Sequence, residues 1–164
     1  VHNVFTRQVF GNLETVDVTP DAIEYIADNL RATDAAELYA SSGSKDFRHR
    51  IDLAVRGSLD AVVWVNAYGE PVGVQGVGTV SLLYNTGCPW LVGTPRLNEH
   101  LRAFISVGQL YTAQMLEHFA VLTNHVDQRN RKSVAWLQRL GYQMAKPEPY
   151  GALGLPFHQF HIER

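Results

Sequence analysis

The stretch Asn130-Arg131-Lys132-Ser133-Val134-Ala135-Trp136-Leu137-Gln138-Arg139-Leu140-Gly141-Tyr142 decides how the second half of this chain is read. Val134, Leu137 and Leu140 recur at the spacing of one helical face. Gly141 is the residue type that ends a helix in a left-handed conformation. The spacing predicts a helix over Asn130–Leu140, followed by a turn into a strand. Upstream, Ala120–Val126 has strand composition. Before it lies the longest helical pattern, Leu97–Phe119, with Leu101, Phe104, Ile105, Gly108, Tyr111, Thr112, Met115 and Phe119 on one face. At the far end, Phe157–Ile162 alternates as a strand does.

The first half reads differently. Val1–Asp17 alternates loosely and has room for a strand. Thr19-Pro20-Asp21 is a helix start, because Thr caps, Pro fits the first helical position and Asp suits the positive end. Ile23, Ile26, Ala27 and Leu30 line that helix. Thr33-Asp34 offers a second cap before Ala35–Tyr39. A third short helix, carrying Phe47, Ile51, Ala54 and Val55, ends at Gly57. Ala61–Val65, a Tyr68-Gly69-Glu70-Pro71 turn and Val72–Leu83 read as an antiparallel hairpin. Gly73, Gly76 and Gly78 mark bulges or close backbone approach within it. Asn85–Pro89 reads as a break and Trp90–Val92 as a short third strand. Strand–helix–strand crossovers require a parallel pair. The expected fold class is therefore α/β (or α+β), a mixed sheet flanked by helices.

The chain has 164 residues, 46% hydrophobic and 18% charged, enough apolar matter for a core and too little charge for disorder. No linker or repeat divides it, so one domain over 1–164 is expected. Net charge is −2, which gives no basic field for nucleic acid. No run is long and apolar enough to span a membrane, and the N-terminus lacks a secretory layout. Cys88 is the only cysteine, read here as a small turn residue, and no zinc-ligand spacing occurs. No metal site is expected.

The Asn130–Tyr142 stretch resembles the late helix of the Gcn5-related N-acetyltransferase (GNAT) superfamily, which carries an Asn and ends in a Leu-Gly-aromatic step. With Tyr150-Gly151, Gly154–Phe157, Phe160–Ile162, Ala22–Arg31 and Asp34–Tyr39, it looks like the GNAT-like proteins of tailed bacteriophages, the internal virion protein A-like group. The resemblance implies a GNAT-like mixed sheet in which acetyl-coenzyme A (acetyl-CoA) sits where two parallel strands splay apart. It implies a glycine-rich loop for the pyrophosphate as well. The matching place here, Gly93-Thr94-Pro95-Arg96-Leu97-Asn98, has one glycine and a proline without an N–H, so that motif is absent. The tyrosine acid of many members falls at Leu137, which transfers no proton. Gly93, Thr94 and Arg96 remain the candidates for coenzyme phosphate. Asn130 is either a coenzyme ligand or a helix cap.

Acyl transfer to an amine needs a base and an oxyanion donor. His125 and Asp127 lie two apart on the expected strand and so face one side. They are the candidate base and orienter, against a purely structural role. Two function classes follow. The first is an acetyltransferase-type enzyme taking a small-molecule or protein amine. The second is a non-catalytic GNAT-fold phage protein that binds a virion or host protein during assembly. Either implies the host cytoplasm or the virion, with neither nucleic acid nor membrane as partner.

Overall fold

In the computed structural model, residues 3–164 are described, so Val1 and His2 of the expected first strand lie outside them. The chain opens with β1 (Val9–Phe10) and β2 (Leu13–Asp17), then three helices, α1 (Pro20–Asp28), α2 (Ala32–Ser42) and α3 (Phe47–Arg56). Thr19 Oγ1 accepts from Ala22 N at 3.2 Å, capping α1 as its sequence predicts. α2 begins earlier than the Thr33-Asp34 reading. Its N-cap is Arg31, and Asp34 sits inside the first turn with its carboxylate turned to other partners.

Three antiparallel strands follow, β3 (Ser58–Val65), β4 (Pro71–Ser81) and β5 (Thr86–Gly93). β5 is longer than expected and includes Cys88 and Pro89, which the sequence reading placed in a turn. Pro89 is tolerated because its backbone faces an unpaired strand edge, where no ladder N–H is needed. Gly76 lies under the Trp90 ring, where an added Cβ would come within 2.6 Å. That is close approach, as the hairpin glycines suggest. After β5 a short 3-10 helix, Pro95–His100, precedes α4 (Leu101–His118), so the expected long helix starts four residues late.

β6 (Val121–Asp127), α5 (Arg131–Arg139) and β9 (Leu155–Glu163) complete the pattern, with two short strands between the last two, β7 (Gln143–Met144) and β8 (Glu148–Tyr150). Gly141 adopts φ +99°, the left-handed stop its position predicts. The strand order is β1-β2-β3-β4-β5-β6-β9-β7, with β8 beside β9. Every neighbouring pair is antiparallel except β5 with β6, which is parallel. This is the expected mixed sheet flanked by helices.

Two cores hold it. Against α4 and α5 pack Trp64, Phe104, Tyr111, Met115, Leu122, Val126 and Phe160. On the opposite face Ile23, Ile26, Ile51, Val63, Val74 and Val92 pack under α1 and α3. Alternation along β6 therefore turns Leu122 and Val126 to the α4 face, and His125 and Asp127 to the α2 face.

Candidate functional site

The parallel pairing of β5 with β6 covers only Thr86↔Val121 and Gly87↔Leu122. Beyond Gly87 the strands diverge. The crotch is closed by one side chain. Asn124 Nδ2 donates to Pro89 O at 2.9 Å, and Asn124 Oδ1 accepts from His125 N at 2.8 Å. This carboxamide takes the place of a missing rung between the strands.

The far end of the opening is closed by α2. Gly93 N donates to Asp34 Oδ2 (2.8 Å), and Gly93 O accepts from Arg31 N (2.9 Å). Opposite, Asp127 N donates to Glu37 Oε1 (2.6 Å). Asp34 and Glu37 lie one helical turn apart, so α2 satisfies both strand edges with carboxylates. Asn130 Nδ2 reaches both, at 3.5 Å and 3.4 Å. What remains is a window through the sheet, bounded by Asn124 below and Glu37 above. On β5, Pro89 and Gly93 turn their backbone groups into this opening, so strand alternation turns Leu91 the same way. Leu91 N–H has no backbone partner there among the described residues.

A cavity of about 200 Å³ fills the window. Its α4–α5 mouth is lined by Gly108, Thr112, Ser133, Trp136, Leu137 and Leu140, and its α2 mouth by Glu37, Leu38, Ser41, Trp90, His125 and Tyr150. Trp136 Nε1 donates to Phe104 O (3.2 Å), which fixes the indole between α5 and α4. Tyr142 also lines the cavity, its hydroxyl 3.4 Å from Thr112 Oγ1. Burial pushes the Tyr142 phenol up to about 12 against the Thr112 hydrogen bond, so it keeps its proton at neutral pH.

Glu37 is the group with unusual electrostatics. Burial pushes its carboxyl up to about 7, and the nearby Asp34 and Asp127 charges add to this. The bonds from Asp127 N and Asn130 oppose the shift without cancelling it. A carboxyl of that pKa beside a cavity is suited to take up and release a proton at neutral pH. Nothing local in the sequence marks Glu37. Only the helix that carries it is legible there, because the partner amide is 90 residues away.

Of the residues the sequence singled out, His125 lines the cavity, where burial lowers its imidazole so that the neutral form prevails at pH 7. It stacks on Tyr150 with ring centroids 3.8 Å apart. Asp127 shares its face but turns elsewhere. Its carboxylate is gripped by the Arg129 guanidinium at 2.7–3.2 Å and by Arg129 N at 2.8 Å. Burial pushes Asp127 up, but those Arg129 bonds outweigh it and hold the carboxyl below the usual range. Asn130 is 2% exposed and caps α5, accepting from Ser133 N at 3.4 Å. Thr94 is 2% exposed and donates both its N–H and its hydroxyl to Val72 O. Arg96 pairs with Glu70 (2.9 Å) on the β3–β4 side, away from the opening. Cys88 lies on β5 with its thiol pushed up to about 11 by burial, too high for a nucleophile at neutral pH. Among the described residues no group of three or more His, Cys, Asp or Glu could hold a metal ion. Among them no helix is long and apolar enough to cross a membrane.

No family model matches the sequence, and no curated protein matches it. Solved structures do match in shape. A GNAT-family acetyltransferase from Bacillus anthracis superposes with TM-score 0.69 over 96% of this chain and 98% of that one, at 11% identity. This is the GNAT fold. A spermidine N-acetyltransferase from Vibrio cholerae, in complex with CoA and spermine, shares the GNAT fold with TM-score 0.66 over 93% of this chain and 95% of that chain, at 11% identity. A ribosomal-protein-S5-alanine acetyltransferase from Vibrio fischeri does so with TM-score 0.65 over 97% of each chain, at 14% identity. The GNAT fold thus rests on shape, with almost no sequence identity beneath it.

Proposed function

We propose that this chain is a member of the GNAT superfamily that transfers an acyl group from acyl-CoA, acetyl-CoA being the simplest, to an amine. One observation carries the reading. The window between β5 and β6 holds a free strand-edge N–H, at Leu91, and a carboxyl of pKa about 7, at Glu37, around one cavity. The amide-bearing arm of coenzyme A suits a gap with unpaired strand edges, since each edge offers main-chain donors and acceptors. The thioester, when bound, supplies an activated acyl carbon and a sulfur leaving group.

The residues of the chain then have separable tasks. Glu37 takes the proton from the ammonium, freeing the nitrogen lone pair for attack on the acyl carbon. Leu91 N–H holds the carbonyl oxygen as negative charge gathers on it. The C–N bond forms as the C–S bond breaks, and the nitrogen's surplus proton passes to the departing sulfur, which leaves as the thiol. The Thr112–Tyr142 hydroxyl pair stands on the α4 side to hydrogen-bond that sulfur. That pair takes the place of the tyrosine acid that is Leu137 here. His125, neutral and stacked on Tyr150, shapes the acceptor mouth. The coenzyme phosphates are not held by amides at Gly93 and Thr94, which are already bonded to Asp34 and Val72.

That last observation favours a second reading, a non-catalytic GNAT-fold module that binds another protein. The finer likeness to phage virion proteins belongs with it and rests on Asn130–Tyr142 and the other stretches quoted for it. Calorimetric titration with acetyl-CoA, coupled to thiol release over an amine panel, separates the two. Saturable heat with amine-dependent thiol release supports the enzyme. No heat, together with tight association to a virion or host protein, supports the module.

A further inference from the structure

The α2 mouth of the cavity has a chemistry of its own. His125 lies flat on Tyr150 at 3.8 Å with 9° between the ring planes, and Phe157 tilts against Tyr150 at 5.1 Å. Trp90 and Leu38 complete an apolar wall. Three carboxylates stand near it, and two are already committed to cations. Asp34 is held by Arg31 at 2.9 Å and 3.0 Å, and Asp127 by Arg129. Glu37 alone makes no ion pair among the described residues, and the Arg129 guanidinium, bonded to Asp127, acts on it only at longer range. The mouth is also roofed. The turn between β8 and β9 docks on the end of α2, where Ala152 N and Leu153 N donate to Ser41 O (3.0 Å) and Ala40 O (3.1 Å). Gly151 packs so closely there that a Cβ would fall 2.7 Å from Ser41 Cα.

Resting on the acyl-transfer reading above, we propose that the acceptor is an arylalkyl monoamine. Its ring lies along the His125–Tyr150 wall and its single amino group meets Glu37. One uncommitted carboxylate neutralises one ammonium. A polyamine would bring further ammonium groups for which no unpaired carboxylate stands at this mouth, since Asp34 and Asp127 are already bound to arginines. The roof and the cavity of about 200 Å³ restrict the acceptor to a small molecule.

The test compares phenethylamine, butylamine and spermidine as acceptors with acetyl-CoA. The ring should lower KM about tenfold relative to butylamine, the effect of stacking and burying one aromatic face. Spermidine should be the poorest. Tyr150→Leu should bring the phenethylamine and butylamine KM values to within about twofold, and Tyr150→Phe should restore the gap. Melting curves of both variants report whether the β8–β9 turn stays docked. Equal KM values for the first two amines, or preference for spermidine, overturns the proposal while leaving acyl transfer intact. If no amine is turned over, acyl transfer fails by itself, and proton NMR of the His125 ring decides the acceptor class. A saturable phenethylamine shift there supports it, and none at millimolar amine overturns it.

Discussion

Replacing Glu37 by Gln should make the protein more stable and less active at once. The carboxyl ordinarily titrates at 4.5 and is pushed up to about 7 here. A group whose folded pKa is raised contributes stability below its unfolded pKa and loses it as pH rises through the folded value. Above about pH 7 the native state therefore carries an ionised, poorly solvated carboxylate. The rise from 4.5 to about 7 corresponds to a penalty of about 3 kcal/mol at pH 8. Gln removes the charge and can still accept from Asp127 N through its carboxamide oxygen. Its NH2 then faces Asn130 Nδ2, a donor against a donor, which takes back part of the gain. A net stabilisation of ~1–2 kcal/mol should appear at pH 8 and vanish by pH 4.5, and for a chain of this size it raises Tm by about 2–8 °C. Loss of the base should lower kcat/KM by about 10²- to 10⁴-fold and flatten the wild-type rise of rate through pH 7. Thermal melts at the two pH values and a thiol-release pH profile measure both. A Glu37→Gln protein of unchanged activity, whose rate still rises through pH 7, refutes the assignment of the base. One with lower Tm at pH 8 refutes the electrostatics.

Three further outcomes follow from the same geometry. Gly151→Ala should cost about 2–3 kcal/mol in a denaturant titration, from left-handed backbone at φ +75° plus the contact with Ser41, and a cost under ~0.5 kcal/mol would mean the turn is not docked on α2. Asn124→Ala removes the rung at the crotch and should cost about 1 kcal/mol, with faster hydrogen exchange at His125 N. Asp60→Asn should cost about 3 kcal/mol at pH 7 and free the segment before β1 for proteolysis, because the Asp60 carboxylate holds Val4 N, Phe5 N and the Arg7 guanidinium. Burial raises the Asp60 carboxyl, but those bonds outweigh it and lower it overall, so its contribution should fade as pH falls below the ordinary carboxylate range.

Local signals brought the sequence far toward the fold. The Thr19 cap, the Gly141 stop and the strand alternation that puts His125 and Asp127 on one face all depend on near neighbours. Pro89 misled because proline usually marks a turn, and only the divergence of β6 leaves its missing N–H without consequence. β7 and β8 are too short to show a period. At the site, the legible part was His125 and the absence of a glycine loop. Glu37, Leu91 and the Asn124 rung owe their roles to α2 crossing a gap between strands remote in sequence, a relation that no local pattern carries. Asn130 could be read as a cap from sequence, but not as the donor that joins Asp34 to Glu37.

The central claim is that the gap between β5 and β6 receives the thioester arm, and the backbone amide of Leu91 reports on it directly. In a nitrogen–proton NMR titration with acetyl-CoA, this account predicts a saturable downfield shift at Leu91 N–H, with Gly93 N–H, already bonded to Asp34, moving little. A spectrum in which Leu91 stays unmoved at millimolar acetyl-CoA would contradict it.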